Sequence, residues 1–209
     1  MKTLAIIGSG DLGQQIAHYA LNDKHYDKVV YFDDFTIQKE VNGCLVLGKT
    51  AQVISAFENK QFDELIIGIG YNHLKIRKEL FEKLSNKIPF ATIVHSTCWL
   101  DPTVKIMKGC FLYPNSTIDY RSVVSENTII ANDCTIAHDV IIGSHSFFSA
   151  RIAVAGFVET GEQCFFGINS TIIDNIKVNK KTQIGAGTVV INSIEKSGLY
   201  VGNPAKFVR

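Results

Sequence analysis

Two adjacent side chains, His138 and Asp139, form the pair in this sequence best suited to moving a proton. An imidazole titrates near neutral pH and so serves as a general base. A carboxylate beside it holds the ring in one tautomer and raises its basicity. A solvated surface pair is the bland alternative for the same two residues. The other histidines carry less. His18 and His73 fall on helical patterns, His25 in a polar turn and His95 at a junction between segments. His145 lies close enough to His138 to be a secondary candidate.

A second feature is the run Gly8-Ser9-Gly10-Asp11-Leu12-Gly13, a GxGxxG that follows an apolar strand and opens a helix. Backbone N–H groups and the helix dipole at such a junction meet anions. Asp33 and Asp34 stand about twenty residues further on, where an acidic residue in a dinucleotide site would hold a ribose. An NAD site is one reading. Against it, the chain turns to a different pattern after about ninety residues, which leaves a nucleotide fold of half size and favours another nucleotide ligand.

The five cysteines (Cys44, Cys98, Cys110, Cys134 and Cys164) include no CxxC pair, so neither a metal site nor a disulfide framework is expected. The successive gaps from Cys98 onward are 12, 24 and 30 residues, all multiples of six. A shared repeat slot explains this better than shared chemistry.

The elements that must position these residues fall into two segments. Over residues 1–92, short apolar strands at 3–7, 29–32, 45–47 and 65–69 alternate with helical patterns at 12–21, 50–58 and 73–86. That alternation predicts a small Rossmann-like parallel sheet with helices on its faces. Over residues 93–192 every sixth residue from Leu100 to Val190 is apolar except Thr160. Two residues before these slots stand small or β-branched residues, among them Ser116, Ser122, Thr128, Ser146 and Ser170, together with the in-phase cysteines. Residues i and i−2 of a strand face the same way. The pattern therefore predicts a prism of two-residue strands, three hexads per coil and about five coils. Position i−1 faces outward, and Phe111, Ile129, Phe147 and Phe165 stack on one outer face, which predicts that this face packs against neighbouring subunits. Residues 193–209 form a tail.

The 21 basic and 20 acidic residues nearly balance, which argues against a nucleic-acid partner. No apolar run approaches the length of a membrane span and the N-terminus does not read as a signal peptide, so a cytoplasmic protein with no membrane partner is expected.

The segments GSGDLG at 8–13, YFDDF at 31–35, IGIGYN at 67–72, IAHDVIIG at 136–143, FFGINSTI at 165–172, IGAGTVV at 184–190 and VGNPAK at 201–206 together resemble bacterial sugar acyltransferases. The resemblance is to sialic acid O-acetyltransferase and to N-acetyltransferases of nucleotide-linked 4-amino sugars, and it covers essentially the whole chain. It implies a left-handed parallel β-helix and a homotrimer with active sites between subunits. It implies acetyl-CoA as co-substrate, no metal, and a UDP- or dTDP-linked 4-amino-4,6-dideoxy sugar as acceptor. The nucleotide falls to Gly8, Ser9, Gly10, Asp33, Asp34, Gly70 and Asn72, with the two aspartates accepting hydrogen bonds from base or ribose. Acetyl-CoA falls to Gly167, Ile168, Gly185 and Gly187, then to Gly202, Pro204, Ala205 and Lys206 in the tail, with His145 near the acyl donor. His138 becomes the base, Asp139 its orienting partner, and the Gly156 N–H a candidate for stabilising the oxyanion. Some relatives carry a sugar-contacting Asn where this chain has Ala131, and a second His where it has Phe147. O-acetylation of a sugar and a non-catalytic scaffold are the rival readings.

Overall fold

The computed structural model describes residues 1–209, which divide into two compact units, Met1–Ile93 and Val94–Arg209. The first unit contains β1 (Thr3–Ile7), α1 (Asp11–Asn22), β2 (Lys28–Phe32), β3 (Glu40–Val41), β4 (Cys44–Gly48), α2 (Val53–Glu58), β5 (Glu64–Ile67) and α3 (Leu74–Leu84). The sheet order is β3-β4-β2-β1-β5, parallel throughout except for the β3–β4 hairpin. Every residue of β1 is buried, as expected for a central parallel strand covered on both faces. In α1 the buried residues Gly13, Ile16, Ala17 and Ala20 recur at helical spacing and form one stripe against the sheet.

From β1 the chain passes to β2 on one side and later to β5 on the other. The carboxyl end of β1 is therefore the point where the strand order reverses, the usual place for a ligand crevice in an open α/β sheet. The loops there pack backbone to backbone. A Cβ on Gly68 would lie 2.7 Å from Gly13 Cα, and one on Gly13 would overlap the Gly8 carbonyl oxygen. Inside α3, Arg77 is 1% exposed and its Nη1 donates to the carbonyls of Ile67 (2.9 Å) and Ile69 (2.8 Å), which fixes the exit of β5.

The second unit is a left-handed parallel β-helix. Its first face stacks Trp99–Leu100, Thr117–Ile118, Thr135–Ile136, Ala153–Val154, Thr171–Ile172 and Val189–Val190 in parallel register. The second face runs from Lys105–Ile106 to Lys177–Val178 and the third from Ile93–Val94 to Gln183–Ile184. Register partners are eighteen residues apart, so three hexads make a coil. The slot residues line one continuous apolar core. The repeat begins one slot before Leu100: Val94 packs on this core too. The tail is not separate. Leu199–Val201 pairs in parallel with the strand Gln183–Ile184, and Lys206–Phe207 pairs back on it in an antiparallel hairpin.

The small slot has its own hydrogen-bond rule. Its side chains donate to the carbonyl fifteen residues later: Ser116 to Ala131 (3.0 Å), Ser122 to Ala137 (2.7 Å), Cys110 to Ser125 (3.1 Å), Cys134 to Ser149 (3.1 Å). Thr160, the non-apolar slot, is also explained. Its hydroxyl accepts the Gly143 N–H at 3.0 Å, where the neighbouring ladders use a backbone carbonyl. Each corner is turned by one residue in the left-handed region, φ 54° to 63° at twelve non-glycine positions from Asn115 to Lys181. Six of the twelve are Asn or Asp, the side chains that tolerate this conformation best.

The outer series on the third face departs from expectation. Phe111 (0% exposed) and Ile129 (1%) are already buried within the single chain, while Phe147 and Phe165 are half-buried and stacked at 6.2 Å. A hexad count gives the direction of an outer side chain and not its final exposure. Exposed apolar side chains stand instead along the edge between the first and second faces: Tyr120, Ile141, Phe157, Ile173 and Ile191.

Candidate active site

His138 occupies the corner between the first and second faces, two residues past the buried slot Ile136. Its neighbour Asp139 is the left-handed residue of that corner (φ 58°), with its N–H donating to the Tyr120 carbonyl one coil earlier (2.8 Å). This backbone turn aims the carboxylate at two partners. Asp139 Oδ2 lies 3.0 Å from His138 Nδ1, and Oδ1 accepts from Arg121 Nε at 2.8 Å. The bonds from Arg121 and His138 hold the Asp139 carboxyl below the usual carboxylate range, so it is ionised at neutral pH. With Nδ1 bonded to a carboxylate, the tautomer carries its proton there and Nε2 keeps the ring's lone pair.

One coil later the imidazole meets Gly156. A Cβ on this glycine would sit 2.8 Å from His138 Cε1 and 2.9 Å from Nε2, so the absence of a side chain makes room for the ring. Phe157 closes the other side, edge-on to the imidazole at 5.1 Å, with its N–H donating to the His138 carbonyl (3.2 Å). Sequence reasoning missed Arg121, Tyr120 and Phe157. The signal for them was the coil length, since residues eighteen before and after His138 and Asp139 are their neighbours.

His145 stands elsewhere. It turns the corner between the second and third faces, is 5% exposed and lies 3.0 Å from the Asn127 amide nitrogen through Nδ1. Its closeness to His138 in sequence does not become closeness in space. The two residues are seven apart, more than one hexad, so the intervening strand carries His145 to the next corner.

Gly167, Ile168, Gly185 and Gly187 cluster at the corner between the third and first faces, across the first face from His138. A Cβ on Gly167 would lie 2.5 Å from the Ala186 nitrogen, so this glycine serves close coil stacking. Ile168 is exposed, and its carbonyl accepts the Gly187 N–H at 2.8 Å. The tail joins the same corner. The Gly202 N–H donates to Thr188 Oγ1 (3.2 Å) and the Ala205 N–H to the Val189 carbonyl (2.8 Å), which leaves Pro204 and Lys206 exposed beside it.

In the first unit, Gly8 (φ 99°) closes on the β2 end through its N–H to the Phe32 carbonyl (2.8 Å). Gly10 and Gly70 have open space where a side chain would be, and Asn72 is exposed in the short turn Tyr71–His73. Asp33 is already occupied. Oδ2 accepts from the Ser9 N–H (2.7 Å) and hydroxyl (2.8 Å), and Oδ1 from the N–H groups of Phe35 (2.8 Å) and Thr36 (3.1 Å). Burial opposes its charge, but these bonds outweigh that and hold its carboxyl below the usual range. Asp33 thereby ties the glycine loop to the loop after β2, with both of its oxygens engaged by donors of the chain. Asp34 is exposed, with Oδ1 accepting from the Thr50 N–H (2.9 Å).

Residues 3–84 match the PglD N-terminal domain family. Among curated proteins, UDP-3-O-acylglucosamine N-acyltransferase of Bordetella pertussis is 32% identical over 92 residues, 42% of this chain and 25% of that protein. The enzyme of that name numbered 2 in Sulfurimonas denitrificans is 29% identical over 140 residues, 66% of this chain and 40% of that protein. The chain thus spans well under half the length of these relatives. Among solved structures, the acetyltransferase domain of PglB from Neisseria gonorrhoeae FA1090 superposes with a TM-score of 0.92, 25% identity and full coverage of both chains. PerB from Caulobacter crescentus, solved with CoA and GDP-perosamine, gives a TM-score of 0.89 at 24% identity, covering 99% of this chain and 97% of that one, and shows a common fold. A PglD-type N-terminal domain over residues 3–84, followed by a parallel β-helix and matched over its whole length by an acetyltransferase domain, makes this chain similar throughout to bacterial hexapeptide-repeat sugar acyltransferases.

Proposed function

We propose that the chain is an acetyl-CoA-dependent N-acetyltransferase acting on a nucleotide-linked 4-amino-4,6-dideoxy sugar, with His138 as general base. The observation that carries this is the His138 imidazole, seated against Gly156 with Nδ1 on Asp139 and Nε2 left for a substrate proton. The sugar amine attacks the thioester carbonyl. Nε2 takes the proton that the nitrogen loses, and the imidazolium then protonates the departing CoA thiolate. The products are the N-acetyl sugar and free CoA. The glycine corner and tail receive acetyl-CoA, and the crevice at the end of β1 receives the nucleotide, with Asp34 in place of Asp33 as the carboxylate that meets it. The acetyl-CoA and GDP-perosamine complexes of the fold relatives support this pairing of ligands.

The His138 corner and the glycine corner lie on opposite edges of the first face, so a neighbouring copy in a homotrimer closes the site. The exposed Tyr120, Ile141, Phe157, Ile173 and Ile191 supply apolar surface for that contact. The test is thiol release from acetyl-CoA with a panel of UDP-, dTDP- and GDP-linked 4-amino sugars, beside the matching 4-hydroxy sugars and free sialic acid. Turnover confined to the amino sugars supports the reading. Turnover confined to the hydroxyl acceptors overturns it in favour of O-acetylation.

A further inference from the structure

We propose that Arg121 is a positioning residue that sets the orientation and charge of Asp139, and through them the basicity of His138. The inference rests on His138 being the base. Asp139 stands between two nitrogen partners, with one oxygen on His138 Nδ1 and the other on the Arg121 Nε. Arg121 is itself held in place. It turns its own corner with φ 56°, donates its N–H to Thr103 Oγ1 (2.7 Å), and lays its guanidinium 4.6 Å over the Tyr120 ring. The donor fork is thus oriented before any substrate arrives.

The charges near the imidazole give the inference a sign. Asp139 comes from its own turn, and Asp119, Tyr120 and Arg121 from the coil before. The coil after contributes uncharged Gly156 and Phe157, with Asp174 one coil beyond. Asp139 favours imidazolium, and Arg121 offsets part of that by its own positive charge. Removing Arg121 would leave the Asp139 charge uncompensated beside the ring. A half-exposed ion pair of this kind contributes little to stability, so a melting curve is the wrong readout and a pH profile the right one.

The test compares Arg121→Gln and Arg121→Lys with the unmodified protein. It uses kcat/KM against pH and, independently of turnover, the NMR titration of the His138 ring. Gln and Lys both occupy equivalent left-handed corners at Gln163 and Lys181, so the fold accepts either. In Arg121→Gln the acid limb and the ring titration move up by about half a pH unit, the size of one unit charge removed at a solvent-screened site. Turnover at pH 6 then falls about threefold and recovers at pH 9. Arg121→Lys keeps the charge and moves less. An unmoved or lowered limb and ring titration in Arg121→Gln overturns the proposal while His138→Asn remains inactive. Full activity in His138→Asn instead overturns the base assignment on which it stands.

Discussion

Replacing Gly156 with alanine isolates the placement of the imidazole proposed as base from its chemistry. The new Cβ would stand 2.8 Å from His138 Cε1, 2.9 Å from Nε2 and 3.3 Å from Nδ1, and those ring atoms are its nearest contacts. Ordinary carbon contact needs roughly 3.5 Å, so the imidazole must withdraw by about 0.7 Å or rotate. Gly156 does not use the left-handed region, so alanine adds no backbone strain. The fold should survive with Tm within a few degrees. Misplacing a catalytic group by about 1 Å costs up to about a hundredfold, so kcat should fall about 10- to 50-fold, or about 1.4–2.3 kcal/mol of barrier. The KM for acetyl-CoA should change less than threefold, because the glycine corner lies across the first face. Steady-state thiol release measures both constants. In Gly156→Ala combined with His138→Asn, the alanine should cost nothing further, since the group it displaces is gone. A kcat within twofold of the unmodified protein would refute the reasoning.

His138→Asn should fold and assemble normally, by light scattering, and lose at least about a hundredfold in turnover, the scale of a general base. Asp33→Ala should loosen the glycine loop and raise the KM for the nucleotide sugar, with that for acetyl-CoA nearly unchanged. Because the folded carboxyl titrates below its usual value, its stabilising contribution is complete above about pH 4 and is lost as pH falls further. The Tm of the unmodified protein should therefore drop more steeply below that pH than the Tm of Asp33→Ala. Thr160→Val removes the acceptor of the Gly143 N–H and should cost about 1–3 kcal/mol in urea unfolding, with little change in kcat.

The β-helix was readable because its physics repeats. A large slot and a small slot recur every six residues, and the structure places those side chains in the core from Val94 to Val190. The strands of the first unit were readable from apolar runs, but the β3–β4 hairpin was not, because Glu40–Val41 is too short to show alternation. The His138–Asp139 pair was visible as adjacent residues. Its partner Arg121 was not, because eighteen residues of chain separate a side chain from its neighbour on the next coil. His145 is the converse case, since nearness in sequence means a different corner. Asp33 carried the right residue type at the right strand end, but sequence does not count lone pairs, and backbone N–H groups and Ser9 take all of them. The left-handed corners had left a trace in the recurrent Asn and Asp residues three past each slot, a period that reads as loop composition until the turns are seen.

The small interior slot treats a thiol and a hydroxyl alike. Cys98, Cys110, Cys134 and Cys164 each donate to a carbonyl fifteen residues later, as Ser116 and Ser122 do. Burial pushes the thiols of Cys134 and Cys164 up to about 11, which leaves them protonated and unreactive at working pH. Serine at these four positions keeps the donor, the acceptor and nearly the size. The repeat thus carries a ready route to a β-helix without thiols. With Cys44 of the first unit replaced as well, a single cysteine placed on an exposed corner such as Ile168 would take a fluorophore at one known site and report on the glycine corner proposed for acetyl-CoA.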